Sequence, residues 1–224
     1  MRENRNKLRK QRDEDDGMLQ NAARQLRRRA KQAAWVAGGG MLAAGAVAGT
    51  GAWMLWKRGL NRREDVRGQV ALITGGSRGL GLQMAREFAS AGARVAICAR
   101  DTGELDWARE ELSRSGAEVL AVQCDVSVHD EVQRMVREVR DRFGRIDILV
   151  NNAGIISVGP MESQTLTDYQ ECMDTMFWGV VYPTLAVLPE MIGRRSGKIA
   201  NITSIGGKVS VPHLLPYSCA KFAA

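Results

Sequence analysis

The chain has 224 residues with a formal net charge of +7 and 45% hydrophobic residues, enough for one domain of ordinary size with an appendage. The charge is uneven: residues 1–67 carry sixteen Lys/Arg against seven Asp/Glu, and residues 68–224 carry sixteen against eighteen. A nucleic-acid reader should be basic on its folded part, and here that part is slightly acidic, so nucleic acid is excluded as a partner. Cys98, Cys124, Cys172 and Cys219 are scattered with no C-x-x-C pair, and His129 and His213 stand apart. That pattern suggests neither a zinc site nor a disulfide framework and fits a reducing compartment.

Residues 1–32 read as a polar, basic tail, with an acidic knot at Asp13-Glu14-Asp15-Asp16 and a basic one at Arg27-Arg28-Arg29. Residues 33–56 follow without one charge: 24 residues, with Trp35 near one end and Trp53 and Trp56 near the other. As a helix they would span roughly 36 Å, enough for a hydrocarbon core of about 30 Å, with the tryptophans at the interfaces. The expectation is a single-pass transmembrane helix, followed by a basic linker over 57–67 and flanked by basic residues suited to a membrane surface. The competing use is a cleaved or twin-arginine signal, since Ala46-Val47-Ala48 resembles a cleavage site and paired arginines precede the apolar run, whereas Gly45 to Gly49 is a G-x-x-x-G that could pack two such helices together. Lys and Arg are balanced around the span, so charge does not decide its orientation. Residues 57–224 are expected on the cytoplasmic face.

From Gly68 onward strand and helix patterns alternate, as in a parallel α/β sheet. Val70–Thr74, Arg94–Ala99, Val119–Gln123, Asp147–Asn151 and Lys198–Ile202 read as buried strands, short and rich in Val, Ile, Leu and Ala. Helices are expected near Gly79–Ala91, Thr102–Ser115, Val128–Phe143 and Thr167–Met191, with another starting at Tyr217. Asp101 is placed as the N-cap of the second and His129 at the start of the third. His213 lies in the loop before Tyr217, within reach of a substrate. Right-handed crossovers would wind these units into a Rossmann-type doubly wound sheet with its crevice at the strand carboxyl ends.

The first strand runs into Thr74-Gly75-x-x-x-Gly79-x-Gly81 and opens a helix. Glycines there allow a tight turn and close approach of a diphosphate, which the helix N-terminus then receives. Later in the chain come Asn151-Asn152-Ala153-Gly154, Ser204 and Tyr217-x-x-x-Lys221. Tyr217 and Lys221, four apart, share one helix face. Protonating a developing alkoxide needs a positioned donor, and an ordinary tyrosine is too weak a base for the reverse step unless a nearby ammonium lowers its pKa. Ser204 closes the fifth strand and would hydrogen-bond the substrate oxygen.

In this order and spacing the segments resemble the short-chain dehydrogenase/reductase family over Gly68 to Ala224. The resemblance implies one NAD(P)-binding Rossmann domain. Its catalytic set would be Ser204, Tyr217 and Lys221, with Lys221 also on the nicotinamide ribose. Gly75, Ser77, Arg78, Gly79, Gly81, Arg100, Asp125, Asn151, Ala153 and Gly154, together with Tyr217 and Lys221, would hold the cofactor. Asp125 resembles the adenine-contacting aspartate of the family. No metal site is implied. Where NAD-preferring members carry an acid at the end of the second strand, this chain has Ala99 followed by Arg100, and Arg78 adds a second cation. Both favour NADP(H).

The chain departs from the family at Met176, where an asparagine usually supports a water beside the lysine. A thioether is a poor substitute, and Asp174 or Thr175 would have to serve. The family also continues past Ala224 with further strands and a substrate-covering segment, so the chain is expected to be a fragment whose sheet is incomplete. The reading is an NADP(H)-dependent oxidoreductase interconverting a carbonyl and a secondary alcohol on a lipophilic substrate, membrane-anchored, and a homo-oligomer when full length. The alternatives are a 3-oxoacyl-thioester reductase of fatty-acid type and a catalytically silent nucleotide-binding or scaffold protein.

Overall fold

The computed structural model describes residues 65–224; the tail, the apolar segment 33–56 and most of the basic linker lie outside them. In chain order the described elements are β1 (Val70–Thr74), α1 (Gly79–Ser90), β2 (Arg94–Ala99), α2 (Thr102–Ser113), β3 (Val119–Gln123), α3 (His129–Phe143) and β4 (Ile148–Asn151). Then follow α4 (Leu166–Met173), a π-helical stretch Asp174–Trp178, α5 (Gly179–Gly193), β5 (Lys198–Asn201) and α6 (Leu215–Ala223).

The five strands form one parallel sheet in the order β3-β2-β1-β4-β5. The order reverses direction beside β1, the arrangement that leaves a crevice at the strand carboxyl ends between β1 and β4. Period-two alternation explains why β1 is apolar at nearly every position. Val70 and Leu72 face a core shared with Val132, Met135, Val136 and Val139 of α3 and Val187 and Met191 of α5. Ala71 and Ile73 face the opposite core, built with Leu82, Ala85 and Ala89 of α1 and Leu105, Ala108 and Leu112 of α2. A strand covered on both faces has no polar side to spare.

The lower end of the sheet is held by Asp147, which accepts from the Val70 N–H at 3.0 Å and pairs with Arg145 at 3.0 Å. β5 is the edge of the described sheet, consistent with the expectation of an incomplete sheet, and Lys198, Ala200 and Asn201 are exposed. The helix expected over Thr167–Met191 is observed over Leu166–Gly193 and is broken by the π stretch, where the Gly179 N–H reaches the Asp174 carbonyl five residues back. By length and apolarity this stretch could cross a membrane, with mean hydropathy 1.3. It is instead built into the α/β unit, with α5 packed on α3 and β4.

Candidate active site

The crevice beside β1 opens into a cavity of about 650 Å³, within the size range of small-molecule sites. One wall is the turn from β1 to α1. Gly75 there has φ of 63°, a left-handed conformation that glycine adopts without strain. A Cβ on Gly81 would run into the Gly75 carbonyl oxygen, so this turn closes on itself only with glycine at that position.

The opposite wall is the segment after β4, and Thr74 ties the two together. Its Oγ1 accepts from the N–H groups of Asn152 at 3.0 Å and Ala153 at 3.1 Å. Asn152 returns the tie, donating from Nδ2 to the carbonyls of Thr74 at 3.0 Å and Gly75 at 3.1 Å. The cradle is therefore set by a threonine and an asparagine that fasten backbone to backbone. Neither was singled out by the sequence reading as a site residue. Asn151, which was, does not line the cavity: it is buried and its Nδ2 donates to Thr184 Oγ1 at 3.0 Å and Asn201 Oδ1 at 2.9 Å.

Gly75, Ser77, Arg78, Gly79, Gly81, Arg100, Asp125, Ala153 and Gly154 all line the cavity. The two arginines are both engaged with carboxylates. Arg78 donates to Glu104 Oε1 at 2.9 Å, and Arg100 lies 3.9 Å from Asp125. Ser77 donates to the other oxygen of Glu104 at 2.9 Å. Asp101 caps α2 as expected, accepting from the Glu104 N–H at 2.8 Å. Asp125 accepts from the N–H and hydroxyl of Ser127 at 2.9 and 2.7 Å.

Ser204, Tyr217 and Lys221 gather at a separate point, past the end of β5. Ser204 caps the 3-10 turn Ile205–Gly207, accepting from the Gly206 N–H at 3.1 Å. Gly206 lies between Ser204 and Tyr217: a Cβ placed on it would be 3.0 Å from the phenol ring and 3.5 Å from the serine hydroxyl oxygen. The Lys221 ammonium donates to the Ile202 carbonyl at 2.8 Å and lies 6.0 Å from the centre of the Tyr217 ring. Burial pushes the Lys221 pKa below the ordinary lysine range. Tyr217 packs in a cluster with Met176, Cys172, Ala220 and Ile155. Met176 is fully buried in the π stretch. A Cβ on Gly154 would lie 3.6 Å from its sulfur, so this cluster joins the Tyr217 site to the cavity wall. Asp174 accepts from Gln170 at 2.7 Å, whereas Thr175 lines the cavity.

The family model described as short chain dehydrogenase matches residues 69–224. The chain belongs to the short-chain dehydrogenase family. It is 38% identical over 162 residues to 11-beta-hydroxysteroid dehydrogenase A of Sesamum indicum, covering 71% of this chain and 46% of that protein. It is 40% identical over 154 residues to a 3-oxoacyl-[acyl-carrier-protein] reductase of Synechocystis sp., covering 68% of this chain and 62% of that one. The chain thus spans between about half and three-fifths of these relatives. The structure of an actinorhodin polyketide ketoreductase variant with NADPH superposes with a TM-score of 0.68 at 37% identity, covering 70% of this chain and 60% of that one. Short-chain dehydrogenases of this fold include complexes with NADPH and with NAD. The residues here fit such a dinucleotide, because the glycine turn has no room for a Cβ at Gly81 and leaves a helix N-terminus facing a cavity of suitable size.

Proposed function

We propose that this chain forms the cofactor-binding and catalytic part of an NADP(H)-dependent oxidoreductase that interconverts a carbonyl and a secondary alcohol. The observation that carries the reading is the approach of Ser204, Tyr217 and Lys221 around one turn at the carboxyl end of the sheet. When bound, the dinucleotide would supply or accept a hydride. Tyr217 would hold the proton exchanged with the substrate oxygen, and Ser204 would hydrogen-bond that oxygen. Lys221 would favour the phenolate through its charge, which requires the ammonium form. Gly75, Ser77, Arg78, Gly79, Gly81, Arg100, Asp125, Ala153 and Gly154 would hold the cofactor. Arg78 and Arg100 support NADP(H) as its form.

A lipophilic substrate is supported by the rim of the site. The loop after β4 and the loop before α6 meet where the Gly159 N–H donates to the His213 carbonyl at 2.9 Å. These loops expose Ile156, Val158, Ile205 and Val209. The uncharged segment 33–56 supports attachment to a membrane, and the exposed Leu185 and Ile192 of α5 support self-association.

The test is NADPH consumption by the full-length protein against matched panels of lipophilic and small polar ketones. Turnover of the lipophilic panel is expected, and Tyr217→Phe should abolish it while NADPH binding is retained. The alkaline limb of the pH–rate profile should fall below the ordinary lysine value of 10.5, because the charged form of Lys221 is lost early. NADPH that binds but is never consumed would overturn the enzymatic reading in favour of a silent nucleotide-binding protein.

A further inference from the structure

Two arginines lining the cavity do not by themselves make it a phosphate site. The ionisable side chains lining the cavity include Arg78, Arg100, Asp101, Glu104 and Asp125, three acids against two bases. The acids are not equivalent. Asp101 is committed to capping α2, and Asp125 accepts twice from Ser127. Glu104 instead reaches across to the glycine turn, taking the Ser77 hydroxyl on one carboxylate oxygen and the Arg78 guanidinium on the other, both at 2.9 Å. Those are the donors a phosphate on the adenosine ribose would seek.

We propose that Glu104 sets the cofactor preference of this site, occupying the donors of Ser77 and Arg78 and releasing them only to a ligand that carries a 2′-phosphate. Such a phosphate displaces the carboxylate and takes up its hydrogen bonds, while a ligand with a free 2′-hydroxyl leaves the pair intact. Displacement is inexpensive because the Arg78 side chain is 79% exposed and exposed ion pairs are weak. The residual negative charge nevertheless lowers affinity for the phosphorylated ligand, so the arginines alone overstate the preference for NADP(H).

The inference rests on the proposal that this cavity takes the adenosine half of the dinucleotide. The experiment separates the two by titrating the full chain with 2′,5′-ADP and with ADP, which carry two phosphates each, the second on the 2′-oxygen in the former and on the 5′-phosphate in the latter. The Glu104→Gln variant keeps an acceptor for Ser77 and removes the charge. It should bind 2′,5′-ADP about fivefold tighter, with ADP within about twofold of the unmodified chain, and the gain should shrink at high salt. Glu104→Ala should move in the same direction, with melting temperature reporting that each variant is folded. If both nucleotides bind and neither folded variant tightens 2′,5′-ADP, the role of Glu104 is overturned and the assignment of the cavity stands. If neither nucleotide binds the unmodified chain, both fall.

Discussion

Thr74 shows how much a single side chain contributes to the shape of the crevice. It is fully buried, and its hydroxyl oxygen accepts from two backbone N–H groups beyond β4. Valine has nearly the same shape without the acceptor, so Thr74→Val would leave both N–H groups without this partner. The expected loss is about 2 kcal/mol of unfolding free energy in urea, with Thr74→Ser retaining most of the stability. Unchanged stability in the valine variant would mean that water replaces the hydroxyl. The glycines of the neighbouring turn were legible in the sequence because backbone conformation is a local property written in spacing. The partners of Thr74 and Asn152 were not, since these contacts join residues 77 to 79 positions apart. Glu104 escaped notice for the same reason: its grip on Ser77 spans 27 positions.

The helix expected over Thr167–Met191 illustrates the limit at the scale of elements. Its start was misplaced by one residue because Thr165 and Asp168 form a reciprocal capping box, with the Asp168 N–H on the threonine hydroxyl and the Thr165 N–H on the carboxylate. Removing the cap with Thr165→Ala should cost about 1 kcal/mol at neutral pH. The Thr165 backbone and hydroxyl hold the Asp168 carboxyl below its ordinary value of 3.8, against the opposing effect of burial and with a lesser contribution from Ser157. A depressed carboxylate stabilises fully above 3.8, and that contribution is lost as pH falls through the lowered folded value. The difference in melting temperature between the unmodified chain and Asp168→Asn should therefore be constant near neutrality and close in strong acid. A gap that persists there would mean the carboxylate is not the stabilising form. The π stretch was hidden for a different reason. Gly179 comes so close to Val126 that a Cβ would meet its side chain at 2.8 Å, a constraint set by another part of the chain.

At the scale of the whole molecule, the segment 33–56 argues for attachment to a bilayer, by an apolar length sufficient to span it. The full chain is expected to stay with membranes through an alkaline carbonate wash, and a variant lacking 33–56 to appear in the supernatant. Release of the intact chain by carbonate would end that proposal. The described unit owes its class to patterning alone. Short apolar runs alternating with amphipathic helices specify a parallel doubly wound sheet, and the strand positions read from the sequence match those observed to within a residue at each end. The amino-acid order was thus sufficient for the family, the glycine turn and the i, i+4 pair of Tyr217 and Lys221, all of which depend on neighbours along the chain. Only the folded arrangement turned Asn151 away from the cavity, tied Thr74 to Asn152 and placed Glu104 against Arg78. Contacts between distant segments depend on how strands and helices stack in space, and no local pattern encodes that.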